Sequence, residues 1–266
     1  MLEVTGLTRA YGSHLAIADV SLRVADGELV TIVGPSGSGK STLLRCMGGL
    51  LPPTSGQVVL DGAVVTKVPG RLAVVFQDYS RSLYPWLTVA DNVALPLLRT
   101  ERRRAMRRER AQAALESVGL AGFAGRYPWQ LSGGMQQRVA IARALACDPV
   151  LLLMDEPFGS MDAQMREDLE DLVLRVRAAR RITILLVTHD IDESVYTGDR
   201  VVVLTKGPGR VLAEVPVDLP SPRDQITTKE LREFARLRTE ISRLVRGTAA
   251  PEGRTAMPRE RTPESC

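Results

Sequence analysis

The sequence predicts an α/β protein: a mostly parallel sheet covered by helices on both faces, with a helical stretch set between two strand-rich parts. Three observations predict it. Short apolar, β-branched runs alternate with longer stretches of helical pattern, the order that places parallel strands between crossover helices. Run 150–154 is apolar throughout and 182–187 nearly so, as expected of strands buried on both faces. The chain has 266 residues, 44% hydrophobic and 25% charged, enough to bury such a core without a disulfide or metal staple.

The elements follow in order. Runs 2–7, 15–24 and 29–33 are strands, separated by turn signals at Tyr11-Gly12-Ser13 and Asp26-Gly27. A glycine-rich loop then opens a helix over 41–48. Runs 57–60 and 72–76 are further strands. From 87 to about 120 the pattern is helical and includes the arginine-rich run 102–110. Glu101 and Glu109 interrupt that run, so it is read as a solvated helix face. A second helix covers 133–146. Strand 150–154, helix 163–179 and strand 182–187 come next. Runs 200–204 and 210–215 are closing strands, and 228–246 is a late amphipathic helix. The tail 247–266 is rich in Pro, Arg, Glu, Thr and Ala, a composition that predicts disorder.

Composition excludes several functions. Aromatic residues make up 4%, leaving few stacking platforms for single-stranded nucleic acid. The net charge is +4, and the arginines are spread rather than gathered on one face, so no nucleic-acid partner is expected. Cys46, Cys147 and Cys266 are odd in number and lack metal-ligand spacing. Without a signal peptide, they indicate a reduced cytosolic compartment. No apolar run approaches the ~18 residues that cross a bilayer, so any membrane role passes through a partner.

The chemistry concentrates in three strings. Gly34, Pro35, Ser36, Gly37, Ser38, Gly39, Lys40 and Ser41 follow an apolar strand and open a helix. That is the context of a phosphate-binding loop. Small residues let backbone N–H groups wrap phosphates, and the helix N-terminus adds positive partial charge. Lys40 reaches the outer phosphates and the Ser41 hydroxyl can bind Mg²⁺. Strand 150–154 ends in Asp155 and Glu156, with Asp155 placed to hold Mg²⁺ and Glu156 to act as general base on water. The third string is Leu131-Ser132-Gly133-Gly134-Met135-Gln136-Gln137-Arg138, a second anion-binding helix start. Only one phosphate loop carries a lysine, so one site shared between two chains is more economical than two separate sites.

In this order and spacing, the strings resemble the nucleotide-binding subunit of an ATP-binding-cassette (ABC) transporter. The first resembles its Walker A motif, the third its signature and 150–156 its Walker B, over roughly residues 1–245. The resemblance implies a P-loop cassette with a mixed sheet, an N-terminal antiparallel β-subdomain and an inserted helical subdomain. Its expected boundaries are a cassette over 1–246, a helical subdomain at about 88–145 and a tail beyond. It implies ATP and Mg²⁺ as cofactors, with Thr42 added to the phosphate-loop contacts. Tyr11 matches the aromatic that stacks on adenine. Gln77 matches the glutamine that senses Mg²⁺ and the attacking water. Asp162, in Ser160-Met161-Asp162, matches the D-loop, with Met161 where Leu is commoner. His189 matches the switch histidine at the γ-phosphate, whereas His14 is an ordinary loop residue. Trp129 stands at a position often polar in the family and is read as packing; Gln130 beside it is retained.

The mechanism so implied pairs two cassettes head to tail, ATP being held between Walker A of one and Ser132, Gly133 and Gly134 of the other. The dimer drives membrane permease subunits from the cytoplasmic face of the cell membrane, and a solute-binding protein takes part indirectly. Segments 85–89, 154–159 and 221–224 resemble the importer branch that carries nitrate, alkanesulfonates or taurine. The alternatives are a cassette for another solute, imported or exported, and a soluble ABC ATPase without a transport role.

Overall fold

The chain is seen in a computed structural model that describes residues 1–77, 82–159 and 161–249. Asp78, Tyr79, Ser80 and Arg81, Ser160 of the D-loop string, and the tail from 250 lie outside the described residues.

Among the described residues, ten strands form two sheets. β1 (Leu2–Tyr11), β2 (His14–Val24), β4 (Ser55–Leu60) and β5 (Ala63–Val64) make a four-stranded sheet in the order β2-β1-β4-β5, with antiparallel neighbours throughout. The second sheet has six strands in the order β10-β9-β3-β8-β7-β6. They are β3 (Leu29–Val33), β6 (Leu72–Val75), β7 (Leu151–Asp155), β8 (Thr183–Val187), β9 (Arg200–Leu204) and β10 (Val211–Pro216). All neighbours are parallel except β10, which runs antiparallel to β9. Every residue of β3, β7 and β8 is buried, the pattern their largely apolar runs predict. Thr31 is a polar residue inside that layer, and its hydroxyl donates to the Ser194 carbonyl at 3.2 Å.

Among the described residues, seven α-helices surround the sheets: α1 (Lys40–Met47), α2 (Val89–Ala94), α3 (Arg104–Ser117), α4 (Gly133–Leu145), α5 (Ala163–Arg180), α6 (Ile191–Thr197) and α7 (Arg232–Ala249). Between the sheets, Leu43, Leu44 and Met47 of α1 pack with Leu7, Ile17, Ile32 and Leu153. On the other face of the large sheet, Val93, Leu115, Ile141 and Leu169 from α2 to α5 share a core with Leu152 and Ile184. Phe234, Leu237 and Ile241 of α7 cover Tyr196, Val201 and Val203.

The structure departs from the pattern reading in places. The helical stretch expected from 87 to about 120 is interrupted. Pro96 has no N–H to donate, and Leu95–Arg99 tightens into a 3₁₀ turn before α3 begins. The late helix starts at Arg232 instead of 228, because Asp224 Oδ1 accepts from the backbone of Ile226 and Thr227 and turns the chain there. It also continues through 249, into the stretch expected to be tail. α6 is only seven residues long, too short to leave a helical period in the sequence; Asp190 caps it by accepting from the N–H groups of Asp192 and Glu193. Trp129 does not pack into the core. It is 70% exposed, with its ring stacked on Tyr127 at 6.0 Å. The turn at Pro128–Gln130 carries both rings on the surface.

Candidate active site

β3 ends at Val33 and α1 begins at Lys40, so the glycine-rich loop bridges a parallel strand and the helix that follows it. Gly39 sits at φ +80 as the residue preceding α1, and a Cβ there would lie 2.6 Å from the Ala16 carbonyl oxygen. Only glycine meets both demands. From outside, Gly209 presses on the loop: a Cβ on it would come within 2.0 Å of the Ser38 carbonyl oxygen. Its backbone is locked to β2, donating to Ala16 and accepting from Ala18.

A cavity of about 710 Å³ opens over this loop, lined by every residue from Gly34 to Thr42 together with Glu156, His189 and Val245. The Lys40 ammonium donates to the carbonyls of Gly34 (2.8 Å) and Pro35 (3.1 Å). Burial lowers its pKa, and the nearby Glu156 and Asp155 carboxylates work against that shift. Ser41 Oγ donates to Asp155 Oδ1 at 2.9 Å, joining the start of α1 to the end of β7. Asp155 is pushed up by burial, and the Ser41 hydrogen bond pulls it back.

Glu156 is the hub. Its Oε2 accepts from Gln77 Nε2 at 3.1 Å and lies 3.1 Å from His189 Nδ1. Three segments converge there: the ends of β6, β7 and β8. Glu156 also adopts φ +45, which costs a non-glycine residue about 1 kcal/mol or more. A residue before proline is ordinarily extended, so this turn runs against the local preference. The backbone N–H of Glu156 donates to the Val187 carbonyl at 2.8 Å, and this pins the turn.

The second helix start lies elsewhere. Ser132 caps α4, its Oγ accepting from Met135 N at 3.4 Å, and Asp162 caps α5, accepting from Met165 N at 2.9 Å. Ser132, Gly134 and Asp162 line a separate cavity of about 480 Å³ that shares no residue with the first. Gly133 is the first residue of α4 beside them. Tyr11, at the end of β1, is half exposed and outside both cavities, with the Arg9 guanidinium 4.8 Å from its ring centroid. Pattern reading assigned no role to Gln137. Its buried amide donates to the Pro157 carbonyl at 2.7 Å, tying the signature-like helix to the turn that carries Glu156. Its place inside the eight-residue string was the available signal.

A profile of the ABC transporter family matches residues 17–159. The chain belongs to the ABC transporter family. It is similar to the nitrate import ATP-binding protein NrtD of Synechocystis, 41% identical over 94% of this chain and 97% of that protein. It is 44% identical to the aliphatic sulfonates import ATP-binding protein SsuB 2 of Burkholderia cenocepacia, over 89% of this chain and 86% of that protein. The nitrate import ATP-binding protein NrtC of Synechococcus elongatus is 43% identical over 86% of this chain, which spans about a third (35%) of that longer protein. Among solved structures, a dimeric ATP-binding cassette in a post-hydrolysis state bound to ADP and Pi matches with a TM-score of 0.72. It is 36% identical and covers 82% of this chain and 99% of that one. The fold is therefore that of an ABC cassette, and the chain is an ATP-binding ATPase.

Next to His189, a buried carboxylate marks a pH dependence. Burial pushes Glu193 up to about 8 from an ordinary 4.5, although the Thr188 hydroxyl bonds to it and opposes the shift. A carboxylate whose folded pKa is raised stabilises the fold fully below its unfolded value and loses that contribution as pH rises through the folded one. Thermal stability should thus decline between about pH 4.5 and about pH 8. Glu193→Gln, which is neutral throughout, should flatten that decline; melting curves across this range check it.

Proposed function

We propose that this chain is the ATP-hydrolysing subunit of an importer for nitrate, alkanesulfonates or taurine. It works as a head-to-tail dimer bound to permease subunits at the cytoplasmic face of the membrane. The observation that carries the hydrolytic reading is Glu156, held between Gln77 and His189 at the edge of the phosphate-loop cavity. The dimer is supported by the separation of the phosphate loop from Ser132, Gly134 and Asp162, which open into a different cavity of the same chain. Two chains facing each other in opposite directions bring the two half-sites together twice. Among the described residues no helix is long and apolar enough to cross a membrane, so contact with a bilayer goes through other subunits.

The residues divide the work. Backbone N–H groups over 36–41 surround the phosphates, and Lys40 exchanges its loop carbonyls for phosphate oxygens. Tyr11 packs against the adenine, and Thr42 extends the phosphate contacts. Glu156 takes a proton from the attacking water, while Gln77 and His189 hold that carboxylate and the γ-phosphate in register. From the second chain, Ser132, Gly133, Gly134 and Asp162 close the site and exclude water. Ser41 and Asp155 bring a hydroxyl and a carboxylate oxygen together at the loop, the hard-oxygen chemistry that suits Mg²⁺. With Gln77 they would hold the ion, which neutralises charge on the outer phosphates when bound.

The solute assignment rests on the likeness to the nitrate and sulfonate import proteins. It is tested by deleting the gene and supplying nitrate as sole nitrogen source, or taurine or alkanesulfonates as sole sulfur source. Growth should fail on one of them and return with the intact gene but not with Glu156→Gln. Normal growth on all would remove this solute class and leave the ATPase reading standing.

A further inference from the structure

A cavity of about 890 Å³ lies at the opposite end of the large sheet from the phosphate loop. Asp26 and Gly27 precede β3 there, Arg181 precedes β8, and Asp199 precedes β9. It shares no residue with either nucleotide half-site. Its size is that of a small-molecule site. Leu174, Val217, Leu219 and Pro222 give it apolar walls.

Its charges are not balanced. All three carboxylates on its lining are engaged within the protein. Asp26 pairs with the Met1 amino group. Asp171 accepts from Tyr196 Oη at 2.6 Å and Gln225 Nε2 at 2.9 Å. Asp199 accepts from Arg177 at 3.0 Å and from Leu29 N at 2.9 Å. Arg177 is occupied by that pair and by the Gly27 carbonyl. The other arginines differ. Among the described residues, Arg223 donates only to the backbone carbonyls of Val195 and Tyr196. Among the described residues, Arg175 and Arg181 have no ion-pair partner, although both line the cavity.

Arg181 adds a second, independent sign. It ends α5 at φ +52, a left-handed position that glycine occupies most readily. An arginine there is strained by about 1 kcal/mol, and this residue lines the cavity while making, among the described residues, no ion pair that would offset the strain.

We propose that this cavity binds a small organic anion, its sulfonate or carboxylate head held by Arg175, Arg181 and Arg223 and its apolar body resting on Leu174, Val217 and Leu219. The planar guanidinium fork matches an oxyanion in two-point contact, and the walls select against a bare inorganic ion. Occupation of this site is independent of the nucleotide.

The test is calorimetric titration of the full chain with naphthalene-2-sulfonate and with naphthalene-2-sulfonamide, its neutral counterpart of nearly the same shape. The sulfonate should bind at least about tenfold tighter, the scale of one hydrogen bond to a charged group. Saturating ATP should leave its affinity unchanged. Arg175→Ala and Arg181→Gly should each weaken it about tenfold. Glycine suits the left-handed position, so Arg181→Gly should melt no lower than the natural protein. Equal affinity for the two probes, displacement by ATP, undiminished binding by both variants, or no saturable sulfonate binding would each overturn the proposal.

Discussion

Glu156→Gln should bind ATP with nearly natural affinity and hydrolyse it about 10²–10⁴-fold more slowly, the range that a positioned general base supplies. The substitution removes the carboxylate proposed as the base and little else. Glutamine keeps the shape of the side chain. Its amide oxygen can accept from Gln77 as the carboxylate does at 3.1 Å. The left-handed turn at 156 is held by the hydrogen bond from its own N–H to the Val187 carbonyl, which the change leaves in place. With turnover stopped and nucleotide retained, the closed dimer should accumulate. It should elute from a sizing column at twice the monomer mass with ATP and as monomer without it. A variant that hydrolyses normally would remove Glu156 from the base role. A slow variant that never dimerises would separate the hydrolytic reading from the head-to-tail one.

Sequence alone exposes some of this site and conceals the rest, for reasons that lie in particular residues. The phosphate loop is legible because its chemistry restricts composition: Gly37 and Gly39 take positive φ, and side chains at 34 or 39 would strike neighbouring atoms within 3.0 Å. Such constraints leave a spaced pattern of glycines around one lysine. The strands are legible because burial on both faces demands unbroken apolar runs. Their ends are less so. β1 continues to Tyr11, well past the expected 2–7, because its pairing with β2 carries it through bulges that disturb the alternation. The Ser132 and Asp162 caps are visible as residue types, but that they open into a cavity of their own required the fold. Glu156 was visible as a carboxylate after a strand, yet its left-handed backbone runs against the extended preference of a residue before proline. Trp129 misled in the other direction. A large apolar ring suggests burial, but a short turn between two helical parts offers no core to enter, and stacking on Tyr127 is what remains.

Lys40→Ala is the second large effect, and it should fall on nucleotide affinity rather than on folding. Hydrogen bonds from a charged donor are worth about 1.5–3 kcal/mol, so losing the ammonium should weaken ATP binding roughly 10–100-fold. Stability should change far less, because two contributions oppose each other. The variant frees the Gly34 and Pro35 carbonyls, which Lys40 now satisfies at 2.8 and 3.1 Å. It also removes a buried cation whose pKa burial already depresses. The freed carbonyls face a cavity of about 710 Å³ that can admit water, which limits the loss to about 1 kcal/mol. Lys40→Arg separates charge from geometry. It keeps the cation, but a planar fork is a poor substitute for a compact ammonium inside a glycine-walled loop. Fluorescent-ATP titration and thermal melting, run on both variants, read the two effects apart. Unchanged ATP affinity in Lys40→Ala would remove the residue from the phosphate-binding role. A collapse of the melting temperature with affinity intact would make Lys40 a structural tie of the loop instead.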